Sequence, residues 1–205
     1  PNSDKQQGYL KIDTKSREVT GYNPAYRIYQ GSGKSAGFSG YFVIRFEEDF
    51  DSSEHGKTMK LQREKQEIKG NKNRVGAWIK LAPEKGNSIQ VKVGTSFTSI
   101  ENARKNLEAE IPGWNFDKVK KQSAANWEKA LSQIAVKSSD EKKKTQFYTA
   151  LYNTRMLPRT FSDVEGYYPG FSENYTIHQA KDFTYYCDFS MWDIYRAVLP
   201  LYSIL

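Results

Sequence analysis

The 205-residue chain is 38% apolar and 14% aromatic, enough to bury a core, which excludes wholesale disorder. Its net charge of +7 rests largely on lysine runs, Lys118 to Lys121 and Lys142 to Lys144, set among acids and polar helix formers; lysines without interleaved aromatics argue against a nucleic-acid surface. A single cysteine, Cys187, excludes an intrachain disulfide and a Cys-rich zinc site, and no apolar run approaches the roughly 20 residues of a membrane span.

In chain order, the apolar period from Gly8 to Phe97 is two. The run Gly37 to Glu47 carries Phe42, Ile44 and Phe46; Val75, Ala77, Ile79 and Leu81 repeat the pattern. Ile89, Val91, Val93, Thr95 and Phe97 then alternate with Gln90, Lys92 and Ser96, so the apolar set is expected to be the covered face of a half-buried strand. Asp13-Thr14-Lys15-Ser16, Tyr22-Asn23-Pro24, Lys69-Gly70-Asn71 and Pro83-Glu84-Lys85-Gly86-Asn87 read as turns. Successive strands without intervening helices predict an antiparallel sheet or sandwich.

Beyond Phe97 the period changes to that of a helix. Thr98 or Ser99 is placed to cap a short helix through Ala103 and Leu107, ended by Pro112-Gly113. Asn115 caps a longer one whose stripe is Phe116, Val119, Ser123, Trp127, Ala130 and Ile134. A third runs from about Glu141 to Leu157 and presents Phe147, Leu151 and Thr154. The segment from Thr160 to Asp188 reads as irregular, with a strong turn at Gly166-Tyr167-Tyr168-Pro169-Gly170. A last helical pattern starts near Ser190 and passes through Met191, Ile194, Tyr195 and Val198, where Pro200 either kinks it or opens the next helix. The expected organisation is a β-rich portion over 1–98, linker helices over 99–138 and the start of a helical domain over 139–205.

Several motifs carry no chemistry. Gly31-Ser32-Gly33-Lys34-Ser35 ends like a phosphate-binding loop, but the first glycine of that motif would fall on Ile28 and no helix follows, so it reads as a loop. His55, in what reads as a polar loop, and the isolated His178 have no partners at metal-ligand spacing. The acids around Asp49 and Asp51 read as a solvated loop, and Asn174-Tyr175-Thr176 matches a glycosylation acceptor by pattern alone.

The carboxylates Asp163, Glu165, Glu173, Asp182, Asp188 and Asp193 stand among aromatics. A sugar site needs an aromatic face for the apolar side of the ring and planar acceptors for its hydroxyls; Trp192 beside Asp193 supplies both. A cap-and-core alternative fits the same letters, with Asp188 or Ser190 as helix cap, Trp192 in the core and Asp193 favouring the helix dipole.

Three ordered pieces resemble the calcium-dependent exo-acting α-mannosidases of glycoside hydrolase family 92, abundant in Bacteroidetes. They are Phe147-Tyr148-Thr149-Ala150-Leu151-Tyr152, the stretch Pro158-Arg159-Thr160-Phe161-Ser162-Asp163 through Phe171, and Tyr185-Tyr186-Cys187-Asp188-Phe189-Ser190-Met191-Trp192-Asp193-Ile194-Tyr195-Arg196. The resemblance implies an α+β chain: part of an N-terminal antiparallel β-sandwich, linker helices, and the first helices of an (α/α)6 barrel whose C-terminal remainder lies outside this chain. It implies hydrolysis of terminal α-mannosides in mannose-containing glycans, commonly α-1,2-linked, with inversion, in a secreted, periplasmic or cell-surface protein. By the same resemblance Asp193 and Trp192 hold the terminal mannose, while Arg159, Asp163 and Arg196 have structural or supporting roles. The catalytic acid, the base and the calcium ligands are expected in later barrel segments, so the 205 residues alone are expected to be inactive. The other expectation open at this point is a non-catalytic carbohydrate-binding module that uses the aromatic segment 160–190.

Overall fold

The computed structural model describes residues 8–26, 35–57, 60–63, 67–70, 75–81, 88–170 and 176–205. The phosphate-loop-like residues 31–34, the turn 83–87, Asn71, Phe171, Glu173 and the Asn174-Tyr175 pair lie outside the described residues. The chain divides into two compact units, Pro1–Trp114 with Ser162–Thr184, and Asn115–Phe161 with Tyr185–Leu205.

Residues 8–96 of the first unit form two antiparallel sheets from the strands β1 (Gly8–Asp13), β2 (Glu18–Tyr26), β3 (Ser35–Phe46), β4 (Phe50–Lys57), β5 (Lys60–Arg63), β6 (Glu67–Gly70), β7 (Val75–Leu81) and β8 (Val91–Ser96). One sheet has the order β6-β1-β2-β3-β8, the other β5-β4-β7. The Asp13 turn forms as expected: its carboxylate accepts the amides of Lys15 at 3.0 Å and Ser16 at 3.2 Å. Three expected turns or loops fail, the first at Lys69-Gly70, which ends β6 and pairs with Tyr9 and Gly8 on β1. Tyr22-Asn23-Pro24 is not a turn but part of β2: all three residues pair in register with β3, opposite Tyr41, Gly40 and Ser39, and the register shifts only beyond Pro24, before Tyr26. The His55 segment is not a loop either: it is β4, in register with Ala77 on β7, because strands on both sides satisfy its backbone.

Helix α1 (Ile100–Glu110) packs on the five-stranded sheet. Ser99 caps it by accepting the Asn102 amide at 3.0 Å. Ala103 and Leu107 are buried against Val43, with Ile100 and Ile111 beside them. The helix comes this close because Gly94 on β8 has no side chain. A Cβ there would stand 2.3 Å from the Ala103 carbonyl oxygen and 2.6 Å from Leu107 Cβ.

This docking inverts the expected polarity of β8. Lys92, Gly94 and Ser96 are the covered residues, whereas Val91 and Val93 are 48% and 51% exposed. Lys92 is covered because it serves the helix end: its ammonium donates to the Ile111 carbonyl at 2.9 Å and lies 4.5 Å from the Trp114 ring centre. Burial, and then the charge of Arg45, push its pKa down.

Glu18, only 2% exposed, ties helix to sheet. Arg45 on β3 donates to its Oε1 from Nη2 at 2.5 Å and Nε at 2.9 Å; Arg104 on α1 donates to Oε2 from Nη2 at 2.8 Å. Burial works to raise the Glu18 carboxyl, but the hydrogen bonds and charges of Arg104 and Arg45 outweigh it and hold the pKa below the ordinary glutamate range.

In the second unit, α2 (Phe116–Leu131) starts at Asn115, whose side chain accepts the Lys118 amide at 2.9 Å. Helix α3 (Glu141–Thr154) starts at Asp140, which accepts the Lys143 amide at 3.1 Å. Trp127 meets Tyr152 with ring centres 4.5 Å apart, and the Tyr148 hydroxyl bridges the Ile134 carbonyl and Val136 amide, each at 3.2 Å. The expected stripe of α2 contains no fully buried residue, and Phe116 at its start is exposed.

Substituting Glu18→Gln removes the buried charge between the two guanidiniums, which keep Glu108 and Glu101 as second partners, and is expected to cost about 2 kcal/mol at neutral pH. The folded-state pKa of Glu18 lies below its unfolded value, so its contribution is complete above the ordinary glutamate range and is lost as pH falls through the folded-state value. Urea midpoints measured across that acidic range should therefore converge for wild type and variant; a constant gap would contradict the assignment.

Candidate functional site

The segment expected to be irregular between 160 and 188 is built on two short ribbons. β9 (Arg159–Thr160) pairs with β12 (Tyr186–Cys187) in the second unit, and β10 (Tyr167–Pro169) pairs with β11 (Ile177–Gln179) in the first. Gly166 enters β10 with φ +85 and its Cα lies so near the Ala180 carbonyl oxygen that a Cβ would stand 2.2 Å away, which only glycine allows.

Asp163 is buried, and hydrogen bonds occupy both of its carboxylate oxygens. The Thr98 hydroxyl donates to Oδ2 and the Asn106 amide donates to Oδ1 at 2.7 Å. Asn106 also donates to the Thr95 carbonyl at 2.8 Å and accepts the Val164 amide at 2.9 Å. Asp163 thus joins segment 162–166 to α1 and has no free oxygen to offer a ligand. Glu165 pairs with Lys105 at 2.8 Å.

In the second unit, Arg159 lies opposite Cys187 in the ribbon and its Nε donates to Asp188 Oδ2 at 2.6 Å. Asp188 has φ +69, a left-handed conformation that turns the chain from β12 toward α4 (Met191–Ile194). Burial pushes the Cys187 thiol up, so it is not a ready nucleophile.

Trp192 and Asp193 lie within α4. Trp192 is 85% exposed, so it is not in the core as the cap-and-core alternative required. Its ring centre is 6.4 Å from that of Tyr195, and the Arg196 guanidinium lies 5.3 Å from the Tyr195 ring centre while its Nε donates to the Tyr195 hydroxyl at 2.6 Å. Asp193 Oδ2 accepts the Ser190 hydroxyl. Helix α5 (Val198–Tyr202) follows, with Pro200 in its first turn, and the Tyr202 hydroxyl donates to the Thr154 and Leu157 carbonyls.

The structure thus gathers Arg159, Trp192, Asp193 and Arg196 in one unit and places Asp163 in the other. The acids do not converge. Among the described residues no three His, Cys, Asp or Glu side chains are placed to hold a metal ion, so these residues do not fit a calcium cage. The Ser190 contact went unread in the sequence, although Ser190-x-x-Asp193 has capping-box spacing and could have signalled it.

Comparison with known proteins decides the family. The model of the glycosyl hydrolase family 92 catalytic domain matches residues 102–205, just over half of the chain, and that of the family's N-terminal domain matches residues 1–96. The chain belongs to glycosyl hydrolase family 92. A solved family 92 α-mannosidase from Bacteroides thetaiotaomicron is 28% identical with a TM-score of 0.82; the match covers 96% of this chain and 26% of that one. A family 92 inverting mannosidase from the same organism matches the same shares at 20% identity and TM-score 0.81, a likeness of fold. An uncharacterised secreted glycosidase of Arthroderma benhamiae is 35% identical over 79 residues, 36% of this chain and 10% of its own length. The family 92 chain therefore spans about a quarter of these solved relatives. Its architecture is the α+β class expected, with an antiparallel sandwich portion followed by helices of the catalytic domain. No helix among the described residues is long and apolar enough to cross a membrane.

Replacing Asp163→Ala removes the buried acceptor shared by the half-buried Thr98 hydroxyl and Asn106 amide, and the expected loss is about 2 kcal/mol. Chemical denaturation of the variant checks this, and an unchanged midpoint would show that water satisfies both groups.

Proposed function

We propose that the chain is part of an exo-acting α-mannosidase that removes terminal α-linked mannose, α-1,2 links included, with inversion. The observation that carries this reading is the family 92 catalytic-domain match across the segment where an exposed Trp192 adjoins Asp193. In the proposed role, the Trp192 indole stacks on the apolar face of the terminal sugar and Asp193 accepts its hydroxyls. Arg159 and Arg196 support this segment through Asp188 and Tyr195.

Inversion needs an acid to protonate the leaving oxygen and a base to activate water, with the two carboxyl groups about 6.5 to 9.5 Å apart. Each described acid discussed above already has a basic or hydroxyl partner or faces solvent, and we assign the acid and base to parts of the catalytic domain beyond this chain. The calcium requirement is likewise proposed for the whole protein, with ligands outside these residues. The location proposed is secreted, periplasmic or cell-surface, and the secreted glycosidase of Arthroderma benhamiae supports the first of these.

The full-length protein is expected to hydrolyse α-1,2-linked mannobiose and to release the β-anomer first, as followed by NMR; initial α-anomer would refute inversion. Asp193→Ala or Trp192→Ala should raise KM at least about tenfold, since each removes a direct sugar contact. Chelation should abolish turnover and calcium restore it. The 205-residue chain should give no turnover, and sugar binding by that chain alone, lost in Trp192→Ala, would instead favour a carbohydrate-binding module.

A further inference from the structure

Ser190 stands where a helix-capping serine belongs, three residues before Asp193, yet its hydroxyl does not cap. An N-cap hydroxyl ordinarily accepts the amide of the second or third helical residue. Here the side chain makes no such bond and the hydroxyl is donated to Asp193 Oδ2 instead. The Ser190 carbonyl meanwhile accepts the Asp193 amide at 2.9 Å and the Ile194 amide at 3.2 Å. One residue therefore holds both the backbone and the carboxylate of Asp193. Among the described residues Oδ1 has no protein partner.

Ser190 is in turn fixed from its N-terminal side. Asp188, two residues earlier, keeps a left-handed φ of +69 that aspartate adopts only when its surroundings hold it. The hold is the charge-assisted bond to Arg159, which the β9-β12 ribbon presents directly opposite Cys187.

We infer that Ser190 is a positioning residue for glycan recognition: its hydroxyl locks Asp193 so that Oδ1 is the oxygen offered to the sugar, on a turn set by Arg159 and Asp188. This rests on the assignment of Asp193 to sugar hydroxyls made above. A freely rotating carboxylate must be ordered when the sugar binds; one already held by Oδ2 accepts in a fixed direction, so less freedom is lost on binding.

The test measures kcat and KM for α-1,2-linked mannobiose in the full-length protein with Ser190→Ala, Ser190→Thr, Ser190→Cys and Asp193→Ala, and with Ser190→Ala combined with Asp193→Ala. Ser190→Ala is expected to raise KM about tenfold without lowering the melting temperature, because Ser190 is exposed and only the aim of Asp193 is lost. Ser190→Thr, which keeps the hydroxyl, should stay near wild type, and Ser190→Cys, a weak donor of similar size, should resemble Ser190→Ala. In the Asp193→Ala background Ser190→Ala should add nothing. Unchanged KM in Ser190→Ala and Ser190→Cys, beside an impaired Asp193→Ala, overturns this inference and leaves the proposed function standing. An equal loss from Ser190→Ala in both backgrounds overturns it as a general effect on folding. An unaltered KM in Asp193→Ala overturns the assignment of Asp193 and this inference with it.

Discussion

Glu18 is nearly excluded from water and lies between a guanidinium on β3 and another on α1, so its carboxylate is the point at which the helix is fastened to the sheet. A carboxylate in that position is tolerated because its charge is compensated and each of its oxygens is taken by one arginine, Oε1 by Arg45 and Oε2 by Arg104. The requirement is geometric as well as electrostatic. Arg104 reaches Glu18 only if α1 lies close to β8, and α1 lies close only because Gly94 has no side chain in its way. Lys92 then closes the far end of the helix through the Ile111 carbonyl.

With α1 held, the polar side chains along it become an anchoring surface. Asn106 faces Asp163 and Val164, and Lys105 faces Glu165, so a segment some 60 residues later in the chain is fixed by the same helix. This accounts for Asp163 without giving it a ligand: a carboxylate with both oxygens bound to protein donors is a structural group. Asp193 differs in kind. One oxygen is held by Ser190, the other has no partner among the described residues, and the neighbouring indole is exposed. Two aspartates that look equivalent in a motif thus have opposite availability, and family membership places that difference in the context of a glycoside hydrolase.

Much of the fold was legible because its signals are local. Ser99, Asn115 and Asp140 each accept an amide three residues ahead, a relation visible in a few letters. The strand period from Gly8 to Phe97 was also readable, as was the change to helix after it. The mistakes fell where a local signal has two physical solutions. Asn23-Pro24 is turn-like chemistry that pairing with β3 drew into β2, and the polar run Asp51 to Gly56 became a strand because two neighbours pair with it.

Period, caps and the family motifs belong to the sequence, since each depends on residues within a turn or on the order of letters. Which face of β8 is covered does not: alternation makes two faces, and the helix that docks on one of them selects it, here the face of Lys92, Gly94 and Ser96. The pairing of Asp163 with Thr98, of Arg159 with Asp188 and of Ser190 with Asp193 arose in the same way, because a carboxylate's partner is whatever donor the folded chain brings within hydrogen-bonding distance. Sequence could say that acids and aromatics cluster near the end of the chain; folding determined which of them, as with Asp163, has both oxygens bonded and which, as with Asp193, has one bonded among the described residues.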